Sequence, residues 1–175
     1  MARSEFEFTL VIDGDLTDGD IVDRLHDAGC DNATFGSVDG VGFGDFHREA
    51  GSFLEAVLQA IGQVEQVSGL RVLHVEPDDL VTMADAAGRL GKSREYVRLL
   101  VGGRRGRGGF PAPISHLGGR SRLWRWSEVA AWAGLIDEEE QRRAKAIAAV
   151  NAALELSRSG LGKRERDRLL KAVAV

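Results

Sequence analysis

Thr82-Met83-Ala84-Asp85-Ala86-Ala87-Gly88-Arg89-Leu90, then Gly91-Lys92-Ser93, then Arg94-Glu95-Tyr96-Val97-Arg98-Leu99-Leu100 reads as two short helices around a tight turn. Ser93 suits the cap of the second helix, because a serine oxygen accepts from an otherwise orphaned backbone amide. Val97, Leu100 and Val101 then face inward, and Arg94, Glu95, Tyr96 and Arg98 stay on other faces. Downstream, Arg104, Arg105 and Arg107 lie among Gly102, Gly103, Gly106, Gly108 and Gly109. Phe110-Pro111-Ala112-Pro113 forces an extended path, Gly118-Gly119 turns the chain, and Arg120 and Arg122 return antiparallel. A basic hairpin is therefore expected over residues 102–125. The segment closes on Leu123-Trp124-Arg125-Trp126-Ser127-Glu128-Val129-Ala130-Ala131-Trp132, a helix whose tryptophans are expected to pack core and hairpin.

Charge is partitioned along the 175 residues. The net charge is −4, yet residues 1–79 carry 4 basic and 17 acidic side chains and residues 80–135 carry 10 basic and 3 acidic. Residues 136–175 are nearly balanced, at 9 and 7. This predicts an acidic module (1–79), a basic one facing nucleic acid (80–135) and a helical tail (136–175). The tail opens with Asp137-Glu138-Glu139-Glu140, suited to a helix N-terminus; Gly160 splits it into two helices.

The N-terminal part reads as α+β. Phe6, Phe8, Leu10 and Ile12 alternate with Glu5, Glu7, Thr9 and Val11, a strand. Thr17 and Asp20 have capping-box spacing before a short helix containing Ile21, Val22 and Leu25. Runs 33–38 and 41–46 flank Asp39-Gly40, a strong hairpin signal. Phe53, Ala56, Val57, Ala60, Ile61 and Val64 form an amphipathic helix, and residues 70–75 a last strand. The order β-α-β-β-α-β predicts a ferredoxin-like sandwich, with a seam at Pro77-Asp78-Asp79.

Leu90-Gly91, Ser93-Arg94, Val97, Phe110-Pro111-x-Pro113, Gly118-Gly119-Arg120 and Leu123-Trp124-Arg125-Trp126-x-Glu128-Val129-x-x-Trp132 carry a resemblance. Residues 80–133, under a third of the chain, resemble the excisionase and AlpA-type small winged helix-turn-helix domains, relatives of the MerR-type DNA-binding domain. The resemblance implies a DNA-contacting second helix and a wing. The glycine- and arginine-rich entry at residues 102–109 is longer than the family pattern.

Other chemistries find little support. Asp13, Asp15, Thr17 and Asp18 recur like a calcium loop, but Asp18 stands where glycine is required and Arg24 where glutamate should close the site. His26 and Cys30 are two ligands without a second pair. Gly40, Gly42 and Gly44 lie in a hairpin rather than between strand and helix, so they make no dinucleotide fingerprint; Gly42 and Gly44 are expected to relieve crowding under the second helix. Residues 45–49 read as a strand-to-helix connection in preference to a ligand or partner site. No nucleophile, base and oxyanion site assembles, so the chain reads as a non-enzyme without metal or cofactor.

The expectation is a sequence-specific double-stranded DNA-binding protein, most simply a bacterial transcriptional regulator. Residues 93–101 would enter the major groove, and the wing (102–125) would follow the backbone or minor groove. Ser93, Arg94, Glu95, Tyr96, Arg98, Arg104, Arg105, Arg107, Arg120 and Arg122 are the candidate contacts. Homodimerisation is expected because such motifs read paired half-sites, and residues 1–79 are expected to sense a small ligand or bind a protein. The alternatives are an excisionase-like architectural factor and an antitoxin-like interaction protein. A single cysteine, no apolar run of roughly 18 residues and no signal-peptide layout point to the cytoplasm without membrane association.

Overall fold

The structure, a computed structural model, describes residues 3–115 and 122–173. It is mixed α+β, with a four-stranded sheet, a two-stranded sheet and seven helices among the described residues. The chain divides into two compact units, Met1–Pro77 with Ala146–Val175, and Asp78–Lys145.

In the first unit, β1 (Ser4–Asp13), α1 (Gly19–Asp27), β2 (Ala33–Val38), β3 (Val41–Ala50), α2 (Phe53–Gln66) and β4 (Arg71–Glu76) follow in order. The antiparallel strands lie in the order β2-β3-β1-β4. Asp39 and Gly40 both have positive φ, 52° and 80°, as a two-residue turn between right-twisted strands requires. Phe8 stacks on Phe46 at 5.3 Å and meets Phe53 edge-on at 5.9 Å. Leu10, Ile12, Leu25, Val57, Ala60, Val64 and Val72 complete the apolar core with them.

Three local expectations change. Helix α1 is capped by Asp18, whose carboxylate accepts from Asp20 N at 3.0 Å; Thr17 instead donates its amide and hydroxyl to Asp15. Strand β3 runs on through residues 45–49, which are not a connection. There Arg48 is buried, donating to Asn32 Oδ1 at 3.0 Å and to Gly29 O at 3.1 Å. The crowding at Gly42 and Gly44 comes from Leu16 and from Phe35 and Phe46, not from α2. An added Cβ would meet Leu16 Cδ1 at 2.7 Å or the Phe35 ring at 2.7 Å.

The second unit begins with Asp78 and Asp79, which the seam had assigned to the acidic module. Strand β5 (Leu80–Thr82) precedes α3 (Met83–Arg89) and α4 (Arg94–Val101). Then β6 (Leu123–Arg125) pairs antiparallel with β5 and leads into α5 (Trp126–Ala133). Thr82 and Asp85 form a reciprocal capping box at the start of α3. Between α3 and α4, Gly91 takes φ 63°, a conformation other residues adopt at a cost. Val81, Ala86, Trp124 and Val129 form the core, flanked by Leu90, Val101, Phe110 and Trp126.

The tail is not a separate module. Helix α6 (Glu138–Arg158) belongs to the second unit up to Lys145 and to the first from Ala146. Ile147 and Val150 are buried in the first unit's core. Beside them, Asn151 Oδ1 accepts from Val75 N at 2.7 Å and its Nδ2 donates to Val75 O at 3.0 Å. One side-chain amide thus satisfies both polar groups of a β4 residue. Helix α7 (Lys163–Val173) follows with no buried residue. Replacing Asn151 by Ala should destabilise the chain by about 1–3 kcal/mol, because two backbone groups lose their partners. Urea unfolding reads this, and an unchanged midpoint would mean that water replaces the amide at no cost.

Candidate nucleic-acid interface

Asp79 fixes the base of the basic segment. Buried at 4% exposure, its carboxylate accepts from Ser127 N and Ser127 Oγ, both at 2.7 Å. Its backbone oxygen accepts from Trp126 N at 2.6 Å, and Arg125 Nη1 lies 3.8 Å from the carboxylate. The chain entering β5 is thereby tied to the first turn of α5, so residues 80–125 form a loop closed at its foot. Trp124, 1% exposed, donates its indole N–H to Pro111 O at 3.1 Å and pins the descending limb to the same core.

Helix α4 starts as its sequence dictates: Ser93 Oγ accepts from Tyr96 N at 3.1 Å. Val97 and Leu100 are buried, which turns Arg94, Glu95 and Arg98 to solvent. Arg94 is exposed as expected. Arg98 is not an unpaired cation: its Nε and Nη2 donate to the two Glu95 carboxylate oxygens at 2.7 and 2.6 Å. The two candidate base readers thus hold each other as a fork. Tyr96 is half-buried between cations, with Arg105 Cζ 4.7 Å and Lys92 Nζ 5.7 Å from its ring centre.

Beyond α4 the glycine- and arginine-rich residues 102–109 do not enter a strand. They are held by aromatic side chains instead. Arg107 lies over the Trp132 ring at 5.1 Å, the Trp132 indole N–H donates to Gly108 O at 2.9 Å, and Phe110 meets Trp132 edge-on at 5.1 Å. Trp126, in turn, carries Arg89 over its ring at 5.2 Å. The three tryptophans are packing groups. An open cleft of about 360 Å³ lies among Lys92, Tyr96, Leu100, Arg107, Trp132 and Leu135.

Among the described residues the expected antiparallel return is present only as a bridge between Ser115 and Leu123, with Ile114 N donating to Leu123 O at 2.9 Å. Strand β6 spends its pairing on β5. Arg120 and the Gly118-Gly119 turn lie outside the described residues. Arg122 is half-exposed, and Arg104 is exposed beside Arg105 and Arg107. Lys92, absent from the expected contacts, joins them because it sits in the turn directly before α4 and shares the Tyr96 ring with Arg105.

Elsewhere, burial pushes the Cys30 thiol up, with Arg48 opposing it, while His26 is exposed. Among the described residues no three His, Cys, Asp or Glu side chains gather as a metal set, and no helix is long and apolar enough to cross a membrane. No protein family model, curated protein or solved structure matches the chain.

Hydrogen bonds from Arg98 hold the exposed Glu95 carboxyl below the usual carboxylate range. A lowered folded pKa favours the charged form, so the pair's contribution is present above about pH 4.3 and is lost as pH falls through the folded value. A side-chain carboxyl NMR titration should give Glu95 a midpoint under that of an unstructured glutamate, and Arg98→Ala should return it. An ordinary midpoint in the unaltered protein would mean that the fork does not persist in solution.

Proposed function

We propose that the chain is a sequence-specific double-stranded DNA-binding protein, a transcriptional regulator of the bacterial kind. In this reading the second unit is a small winged helix-turn-helix domain and the first a ferredoxin-like sandwich. The helix-turn-helix reading is supported by the order α3, glycine turn, α4 on a tryptophan core, with β5 and β6 at its foot. The strand order β2-β3-β1-β4, with α1 and α2 after the first and third strands, supports the sandwich.

One observation carries the function: residues 89–125 hold ten Lys and Arg side chains against the single carboxylate of Glu95, on the segment that Asp79 closes. Their charge has little within the segment to neutralise it, and a polyphosphate backbone is the partner that does so while releasing counterions. Helix α4 would lie in the major groove, with Arg94 and Arg98 toward base edges. The Glu95 carboxylate engages Nε and Nη2 of Arg98 and leaves Nη1 to donate, so Arg98 is ordered before it meets a base. That ordering lowers the entropy lost on binding. Arg105 and Arg107, laid on Tyr96 and Trp132, would meet phosphates with their guanidinium edges, with Arg104 and Lys92 beside them. Dimerisation would bring two such helices to paired half-sites.

Fluorescence anisotropy on a selected duplex and a random one tests this. Arg98→Ala should weaken binding to the selected duplex by about 1–3 kcal/mol and relax preference at one base pair. Replacing Arg104, Arg105 and Arg107 together by Ala should weaken both duplexes alike and flatten the salt slope by about two to three. If neither set of changes alters binding, α4 and the arginine segment are not the interface.

A further inference from the structure

The four-stranded sheet buries one face in the first unit's core and leaves the other uncovered by that core. Along β1 the outward residues are Glu5, Glu7, Thr9, Val11 and Asp13; along β3 they are Val41, Phe43, Asp45, His47 and Glu49. Register sets Glu5 against Glu49, Glu7 against His47, Thr9 against Asp45 and Glu76, and Val11 against Phe43 and His74. The face therefore has an apolar end and a carboxylate-rich end. At the apolar end an open cleft of about 320 Å³ is lined by Val11, Val38, Val41 and Phe43, with Asp45 and Glu76 at its edge; Val38 and Val41 are 64% and 47% exposed. The described strand residues of this face hold six carboxylates and one arginine, Arg71, opposite Asp13 at the far end; His47 lies 3.4 Å from Glu7, His74 lies 3.4 Å from Glu76, and Asp45 accepts from the Thr9 hydroxyl.

The same unit carries the complementary surface. Helix α7 has five Lys and Arg residues and two acidic ones. Leu169, Leu170 and Val173 fall on one side at helical spacing and are 43%, 52% and 66% exposed. Arg166 continues that stripe one turn earlier, and Lys163 flanks it. A basic helix with a bare apolar stripe is matched in charge and in apolar content to an acid-rimmed sheet with a bare apolar end.

We propose that α7 of one copy lies on the outward sheet face of a second copy, reciprocally, giving a two-fold dimer. Leu169, Leu170 and Val173 would cover Val11, Val38, Val41 and Phe43, while Lys163 and Arg166 meet Asp45 and Glu76 beside them. Such helix-on-apolar-surface docking buries the stripe that neither copy covers alone, and a reciprocal exchange closes the assembly at two copies. The proposal uses only first-unit surfaces and stands apart from the DNA reading.

Sedimentation velocity of the whole chain at about 50 µM in about 50 mM salt, where exposed charges are weakly screened, gives the test. The wild type should sediment as a dimer of the 18.9 kDa chain. A sheet variant, Asp45→Lys with Glu76→Lys, and a helix variant, Lys163→Glu with Arg166→Glu, should each be monomeric with unchanged circular dichroism. Mixing the two variants should restore the dimer, because each altered surface then meets one of opposite charge. A monomeric wild type overturns the proposal, as does a dimer that survives either variant or a mixture that stays monomeric; capture of a free basic peptide by a monomeric wild type would assign the sheet face to another partner.

Discussion

Everything in the second unit hangs on one buried carboxylate. Asp79 gathers Ser127 N, Ser127 Oγ and Arg125 onto its side chain and Trp126 N onto its backbone oxygen. A buried charge is tolerated only when such donors surround it. Here they come from the far end of the loop that it closes. The β5–β6 ladder, three residue pairs long, would be marginal without that clamp. With it, α3 and α4 have a fixed foot and the arginine-rich residues a fixed point of departure.

Above that foot, cations are held by what they rest on. Arg98 is paired to Glu95, Arg105 to the Tyr96 ring, Arg107 to Trp132 and Arg89 to Trp126. Exposed pairs of this kind contribute little stability each, because solvent screens them. Their larger effect is on geometry, since a long flexible cation is given one direction. For a surface proposed to meet a duplex, that is preorganisation, and it explains why a segment so rich in glycine follows a definite path across α4 and α5.

The sequence was legible where interactions are local. Asp39-Gly40 announces its hairpin, the three-and-four spacing from Phe53 announces α2, and Ser93 announces the start of α4. It failed where a distant partner decides the outcome. The apolar alternation of β3 ends at Arg48, a charge on the buried face whose burial only Asn32 and Gly29, folded against it, make tolerable. The docking of α6 on the first unit is not legible either, because it depends on Asn151, whose amide serves a strand 76 positions earlier. In the candidate interface the exposure of Arg94 was readable. The stacking of Arg107 on Trp132 was not, since it depends on the path of the loop between them. Glu95 and Arg98 were both legible as candidates, but their bond to each other follows only once α4 fixes them one turn apart.

The central claim is that the basic second unit selects a DNA sequence. The most direct measurement incubates the whole purified chain with sheared genomic DNA at about 150 mM salt, where phosphate-only binding is already weakened, and sequences the retained fragments. Enrichment of one motif, lost on Arg98→Ala, is the predicted result. Uniform retention, or no retention, would contradict sequence-specific recognition by α4.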